Sequence, residues 1–189
     1  MVCADERAMH RLPKVGAAWM RQGTQAESRT PGTHEQHSLA GALPLETGKV
    51  LYCFGARKNN GVFRELLTLL DTTYPASRVS RIYVVADNSC IHKAKAVEQW
   101  GVSHPRLTLL WLPTYCPRAN PLERVCGDVH DKCTRNHQRK RLRDLVQDVE
   151  RHMEAHGPWQ YRLSHLYDAL EVTAAVEHIA AEEQAKIAA

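Results

Sequence analysis

Two short apolar runs, Ile82 to Ala86 and Leu107 to Leu112, mark the middle of the chain. Each has the length and the apolar continuity of a strand buried on both faces. Between them, His92 to Trp100 sets Ala94, Val97 and Trp100 at helical spacing, so the stretch reads as a β-α-β unit with parallel strands. Upstream, His37 to Leu45 and Lys49 to Phe54 form a hairpin around Glu46-Thr47-Gly48, whose glycine can supply a positive backbone angle. Residues 1–5 read as a first strand cut short, since a strand usually runs about five or six residues and this one starts at the initiator Met. Arg21 to Gln36 is a polar loop with at most short strand character. Gly61 to Thr72 carries Val62, Phe63, Leu66, Leu67, Leu69 and Leu70 on a helical period. Asn120 and Pro121 have the residue types of a helix start, as cap and first helical position. A later helix places Leu142, Leu145, Val146, Val149 and Met153 on one face and stops at Gly157-Pro158.

The predicted order is three antiparallel strands, then helix, strand, helix, strand, helix. That is an α/β fold, a five-stranded mixed sheet flanked by helices. Residues 1–156 form the expected main domain. Residues 157–189, a short connection from Trp159 to Leu166 followed by an Ala- and Glu-rich amphipathic segment, form a C-terminal helical extension.

At 189 residues the chain can bury a sizeable core, and 43% hydrophobic with 24% charged residues is ordinary for a globular protein. No run approaches the roughly 20 apolar residues that span a bilayer, and no signal peptide is visible, so a cytoplasmic location without membrane contact is expected. Six scattered cysteines without a CxxC pair fit reduced thiols. Cys126, His130, Cys133 and His137 have the residue types of a zinc site. On one continuous helix their spacing confines them to a single narrow stripe, where they cannot surround a tetrahedral ion. Half-buried helix positions explain them better. Net charge is +4, and the stretch Lys132 to Arg143 holds Lys132, Arg135, Arg139, Lys140, Arg141 and Arg143 with no acid among them. Such a stripe suits a phosphate backbone, although any one of these residues could equally be a solvated helix surface.

Two acids carry the candidate chemistry. Asp87 closes the first apolar run, at the carboxyl edge of the sheet where ligands bind in open α/β folds. Glu123 lies in the first turn of the helix that begins after the second run, which returns it to the same edge. Carboxylates gathered from distant parts of a chain repel unless a cation lies between them, and a hard divalent ion is the usual partner. Each acid also has a plainer reading. Asn120 with Glu123 can form a variant capping box, and Asp87-Asn88 can be a polar turn.

The segments VADNSCIHKA and LPTYCPRANPLE resemble the catalytic domain of DDE-type transposases of bacterial insertion sequences, in the mariner-like superfamily. Asp87, Asn88 and His92 match that family's Asp-Asn with a nearby His. Leu112, Pro113, Tyr115, Pro117, Asn120, Pro121 and Glu123 match its Leu-Pro-x-Tyr-Ser-Pro-x-Leu-Asn-Pro-x-Glu signature. The resemblance also implies a third acid on the first strand, as Asp-Glu, with a Trp and a Gly further on; Asp5, Glu6, Trp19 and Gly23 follow that order. Cys116, Ala119 and Cys126 depart from the signature at Ser, Leu and Trp, and none of these changes removes a carboxylate.

The resemblance implies a ribonuclease H-like fold with the first and fourth strands side by side, Asp5 beside Asp87, and Glu123 facing both. It implies two Mg²⁺ ions, with Mn²⁺ as a substitute, held by Asp5, Asp87 and Glu123, and cleavage of transposon ends with strand transfer into target DNA. Asn88, His92 and Asn120 would orient ligands or touch substrate, and Lys93 and Lys95 would meet phosphate. The implied partners are DNA and a second copy of the chain in a homodimer. Family members carry an N-terminal helix-turn-helix region, so the expectation for this sequence, which shows none, is DNA cleavage or binding with little sequence preference. The competing expectations are a catalytically inert remnant that binds DNA through its basic stripe, and a metal-dependent nuclease of repair or defence that makes no joined product.

Overall fold

The computed structural model describes residues 1–24, 27, 32–113, 116, 119–160, 166, 168, 170, 171 and 174. Five strands form one mixed sheet: β1 (Val2–His10), β2 (Gln36–Pro44), β3 (Leu51–Gly55), β4 (Ile82–Ala86) and β5 (Leu107–Trp111), in the spatial order β3-β2-β1-β4-β5. The helices are α1 (Asn60–Thr73), α2 (Lys95–Ser103), α3 (Leu122–Val129) and α4 (Leu142–His156), with a π-helical turn at His130–Thr134 between the last two. The first three strands are antiparallel, while β4 pairs parallel with both β1 and β5. This is the expected layout.

Both sheet faces are covered. Val2 and Ala4 of β1 pack with Val62, Phe63, Leu66 and Leu67 of α1 and with Val97 of α2. Met9 packs on the other side with Leu122, Val125 and Val129 of α3 and Leu145 and Val149 of α4. Alternate residues of one strand serve opposite layers, as the pleat requires. Asn59 caps α1, its Oδ1 accepting from the amides of Gly61 at 2.9 Å and Val62 at 3.1 Å. Arg106, at the foot of β5, donates to Asp71, Val79 and Tyr74 and so fastens the carboxyl end of α1 to the β4-β5 side of the sheet.

Two boundaries differ from expectation in ways that matter for function. β1 is not cut short at residue 5. It runs nine residues to His10 and is paired with β2 along its whole length, from Val2 opposite Pro44 to His10 opposite Gln36. The polar composition of Glu6, Arg7 and His10 hid this continuation, and pairing with β2 overrides local propensity. Asp5 therefore sits mid-strand, not on a fraying terminus. α2 begins at Lys95 instead of His92, because Cys90 to Lys93 form a turn that directs His92 inward. Ala94, Val97 and Trp100 still face the core, as their spacing predicts.

The basic stretch is not one helix. α3 gives way to the π turn, and Arg135 leaves helical geometry with ψ 132°. The chain re-enters a helix only at Leu142. His137 is thus off the helical stripe that the sequence suggested, and its Nε2 lies 3.2 Å from the carbonyl of His10. Cys126 lies on α3, His130 and Cys133 on the π turn and His137 beyond it, so the four do not share one helical stripe. All six cysteines are free thiols. No described helix is long and apolar enough to cross a membrane. Most of the C-terminal extension from Tyr161 onward, and signature residues Tyr115 and Pro117, lie outside the described residues.

Gly48 meets its expected role and adds another. It holds φ 64° in the β2-β3 turn, and its backbone exchanges contact with Trp159, whose amide donates to the Gly48 carbonyl at 2.8 Å. A Cβ there would lie 2.4 Å from the Trp159 carbonyl oxygen. Gly48→Ala should therefore cost about 1–3 kcal/mol, lowering the melting temperature by about 2–12 °C in calorimetry.

Candidate active site

Asp5 is the pivot of the site. It is buried, with 8% exposure, on the face of β1 that α3 covers. Its partner across β2 is Gly41, and a Cβ on Gly41 would lie 3.4 Å from Leu122. The first turn of α3 thus packs over β2 beside Asp5, at a spacing that would also admit a small side chain. Asn120 fixes that contact. Its Nδ2 donates to the Ala4 carbonyl at 3.0 Å, while its Oδ1 accepts from the Leu122 amide at 3.1 Å. Pro121 already has helical angles, so Asn120 acts as the cap that the sequence suggests. These bonds pin the start of α3, and with it Glu123, to β1.

Electrostatics report the consequence. Burial, reinforced by the charge of Glu123, raises the Asp5 carboxyl to about 7, against a smaller lowering by Lys58 and the Glu6 amide. Glu123 is half-buried in the first turn of α3, and its charge is the second cause of that rise. Asp87 approaches from the other side. β1 and β4 pair with Val2 opposite Val84 and Cys3 opposite Val85. Continued along the chain, that register sets Asp5 opposite Asp87, just beyond the carboxyl end of β4. Asp5 lies mid-strand, Asp87 just beyond the end of β4 and Glu123 in the first turn of α3, and among the described residues no three His, Cys, Asp or Glu side chains are grouped so that they could hold a metal ion.

Asp87 is exposed, yet it is held. Its Oδ1 lies 2.7 Å from Nδ1 of His92 and accepts from the Ser89 amide at 3.1 Å. Those hydrogen bonds, His92 foremost, lower its pKa, so it is ionised at neutral pH. His92 is completely buried, packs against Phe63 with ring centroids 4.2 Å apart, and places Nε2 2.9 Å from both Glu6 carboxylate oxygens. Burial disfavours the imidazolium, but the carboxylates of Asp87 and Glu6 overcome it and raise His92 to about 10. Both ring nitrogens then donate. Lys58 closes the network, with Nζ 3.1 Å from the Glu6 carbonyl and 3.6 Å from Glu6 Oε2.

Two of these residues escape sequence reasoning. Glu6 enters only as the companion of Asp5. Strand alternation is the signal for more, because it turns Glu6 to the opposite sheet face, where a buried acid must find a cation. Lys58 follows Arg57 in the bend between β3 and α1, and no sequence pattern marks it. Asn88 does not face the acids; its Nδ2 donates to the Leu112 carbonyl at 2.6 Å and ties the end of β4 to the end of β5.

The basic candidates divide. Lys93 and Lys95 are exposed near the site, Lys93 with Nζ 5.3 Å above the Trp111 ring centroid. Lys132, Lys140, Arg141 and Arg143 are exposed, Arg143 making only a 3.6 Å contact with Asp144. Arg135 and Arg139 are engaged within the fold. Arg135 holds Asp131 and the Ala17 carbonyl, and Arg139 pairs with Asp148 at 2.6 Å.

A strand-borne acid, a second at the end of the fourth strand and a third opening a helix agree with a family match over residues 1–146, described as DDE superfamily endonuclease. The chain belongs to that family. A relative in Shigella sonnei, the insertion element IS630 uncharacterized 39 kDa protein, is 37% identical over 155 residues, covering 82% of this chain and 45% of its own length. This DDE chain thus spans less than half of that relative. Among solved structures, the Mos1 mariner paired end complex with Mn superposes with a TM-score of 0.65 at 16% identity, over 90% of this chain and 52% of that one. The catalytic domain of Mos1 mariner transposase gives 0.57 at 14% identity, over 90% and 76%. At such identities the likeness establishes the ribonuclease H-like fold.

Proposed function

We propose that this chain is a transposase catalytic domain in which Asp5, Asp87 and Glu123 hold two Mg²⁺ ions, or Mn²⁺ in their place, to cleave DNA strands and transfer them into target DNA. The observation that carries this reading is Asp5. A mid-strand carboxyl raised to about 7 by burial and by the Glu123 charge is an anion short of countercharge. A divalent cation supplies what is missing, and the donors on offer are all hard oxygens. Among the described residues the three acids do not by themselves form a group that could hold a metal ion, so water and substrate oxygens would have to complete the coordination. That suits Mg²⁺, which keeps several waters and takes one or two carboxylates plus substrate phosphate oxygens. When bound, such ions activate an attacking water or 3′-hydroxyl and stabilise the leaving oxygen.

The chain's own residues supply the rest. His92 and the Ser89 amide hold Oδ1 of Asp87, Asn120 holds α3 against β1, and Lys93 and Lys95 offer exposed charge to the phosphate backbone near the site. Lys132, Lys140, Arg141 and Arg143 extend that charge, whereas Arg135 and Arg139 would first have to leave their present partners. In this reading the protein acts on DNA in the cytoplasm and pairs two transposon ends as a homodimer.

The test is incubation with supercoiled plasmid in Mg²⁺ and in EDTA. Nicked circles and joined strand-transfer product in Mg²⁺ alone support the proposal. Nicking without joining favours a plain nuclease, and intact DNA that is nonetheless bound favours an inert DNA-binding remnant. A second measurement bears on the site directly. Below about pH 7 Asp5 carries a proton that a cation must displace, so Mn²⁺ affinity should rise about tenfold per pH unit up to about 7 and level off above it. Electron paramagnetic resonance of free Mn²⁺ across that range would show the break. A flat profile would remove Asp5 from the ligand set.

A further inference from the structure

Asp87 poses a mechanical problem. It lies beyond the last pairing of β4, and its side chain is 52% exposed, so the sheet does not fix its rotamer. Yet its Oδ1 accepts from the Ser89 amide at 3.1 Å and lies 2.7 Å from Nδ1 of His92, which also reaches the Asp87 backbone carbonyl at 3.1 Å. Among the described residues no hydrogen bond or ion pair falls on Oδ2. One oxygen is tied down and the other is left open.

The tie is only as firm as His92. That ring is set by a third residue from another strand and the opposite sheet face. Nε2 sits 2.9 Å from each oxygen of Glu6, a symmetric contact that restrains the ring both in its plane and along its axis. Glu6 and His92 have no exposed side-chain surface. Phe63 closes one face of the ring, and Lys58 engages Glu6 from its solvent side.

We propose that Glu6 is a positioning residue for the metal site: its buried carboxylate clamps Nε2 of His92, so that Nδ1 of the same ring anchors Oδ1 of Asp87 and presents Oδ2 to a divalent cation. Adjacent residues of β1 thus serve the site from opposite faces of the sheet, Asp5 as a ligand and Glu6 through a hydrogen-bonded chain. Residues that orient a ligating carboxylate typically contribute about 10–100-fold in metal affinity. The inference rests on the reading of Asp87 as a ligand, and its test separates the two.

Mn²⁺ titrations by electron paramagnetic resonance are run on wild type, Asp87→Asn and Glu6→Gln, each checked for fold by near-ultraviolet circular dichroism. Loss of affinity in Asp87→Asn together with a fall of about 10–100-fold in Glu6→Gln is the expected result. Loss in Asp87→Asn with wild-type affinity in Glu6→Gln overturns the positioning role and leaves the ligand reading intact. Wild-type affinity in Asp87→Asn overturns both. Should Glu6→Gln fail to fold, wild type decides: the His92 ring protons should appear as slowly exchanging resonances in ¹⁵N-edited spectra, with both nitrogens protonated. A freely exchanging or absent Nε2 proton overturns the clamp.

Discussion

Asp87→Asn and Glu123→Gln should each reduce Mg²⁺-dependent nicking by about 10³-fold, the rate equivalent of the several kcal/mol that metal ions contribute to such transition states. Both substitutions preserve shape. An asparagine at position 87 can still accept through Oδ1 from the Ser89 amide and His92, and a glutamine at position 123 keeps the first turn of α3. Melting temperatures should therefore stay within a few degrees of wild type, so lost activity cannot be blamed on unfolding. Asp5→Asn sharpens the contrast. It removes a carboxyl whose ionised form is penalised by burial and by Glu123, so above about pH 7 the variant should be at least as stable as wild type while just as inactive. Nicking rates and calorimetry on the three variants check this. A variant that nicks at wild-type rate would exclude its acid from the site.

Much of this site is legible in the sequence, for reasons that can be named. β4 and β5 announce themselves as short, mostly apolar runs, with Thr108 the polar exception in β5, and the acid ending the first run marks the ligand edge. Asn120 and Pro121 encode a helix start through local backbone chemistry, and the structure confirms both positions. The extent of β1 was not legible. Glu6, Arg7 and His10 look like a polar exit, and only nine consecutive pairings with β2 show otherwise. The inward turn of His92 was hidden for a related reason. Helical spacing of Ala94, Val97 and Trp100 invites the helix to begin early, and the contacts that hold His92 out of it come from Glu6 and Phe63, far away in sequence. Likewise nothing local says that Arg135 and Arg139 are engaged by Asp131, Ala17 and Asp148. Composition and periodicity report faces and ends. They do not report partners.

His92→Ala should be the most damaging single substitution to stability. It strands the fully buried Glu6 carboxylate with only the partly exposed Lys58 at 3.6 Å, and it opens a gap against Phe63. Breaking a buried pair from one side costs about 3–5 kcal/mol, or about 6–20 °C in melting temperature for a chain of this size. The pH dependence carries a signature. His92 is raised from its ordinary 6.5 to about 10 in the fold, so the stabilisation from its proton is complete below about 6.5 and is lost as pH rises through about 10. Wild-type melting temperature should accordingly fall across that window, and in His92→Ala this part of the decline should vanish. Parallel pH profiles for the two proteins would show that His92 is not the titrating group. Replacing both partners, Glu6→Met with His92→Leu, removes the buried charge along with its counterion and should recover most of the lost stability. Nicking should stay depressed in that double variant, because Asp87 would still lack the ring that holds its Oδ1. Stability restored without activity would separate what the Glu6-His92 pair does for the fold from what it does for the reaction.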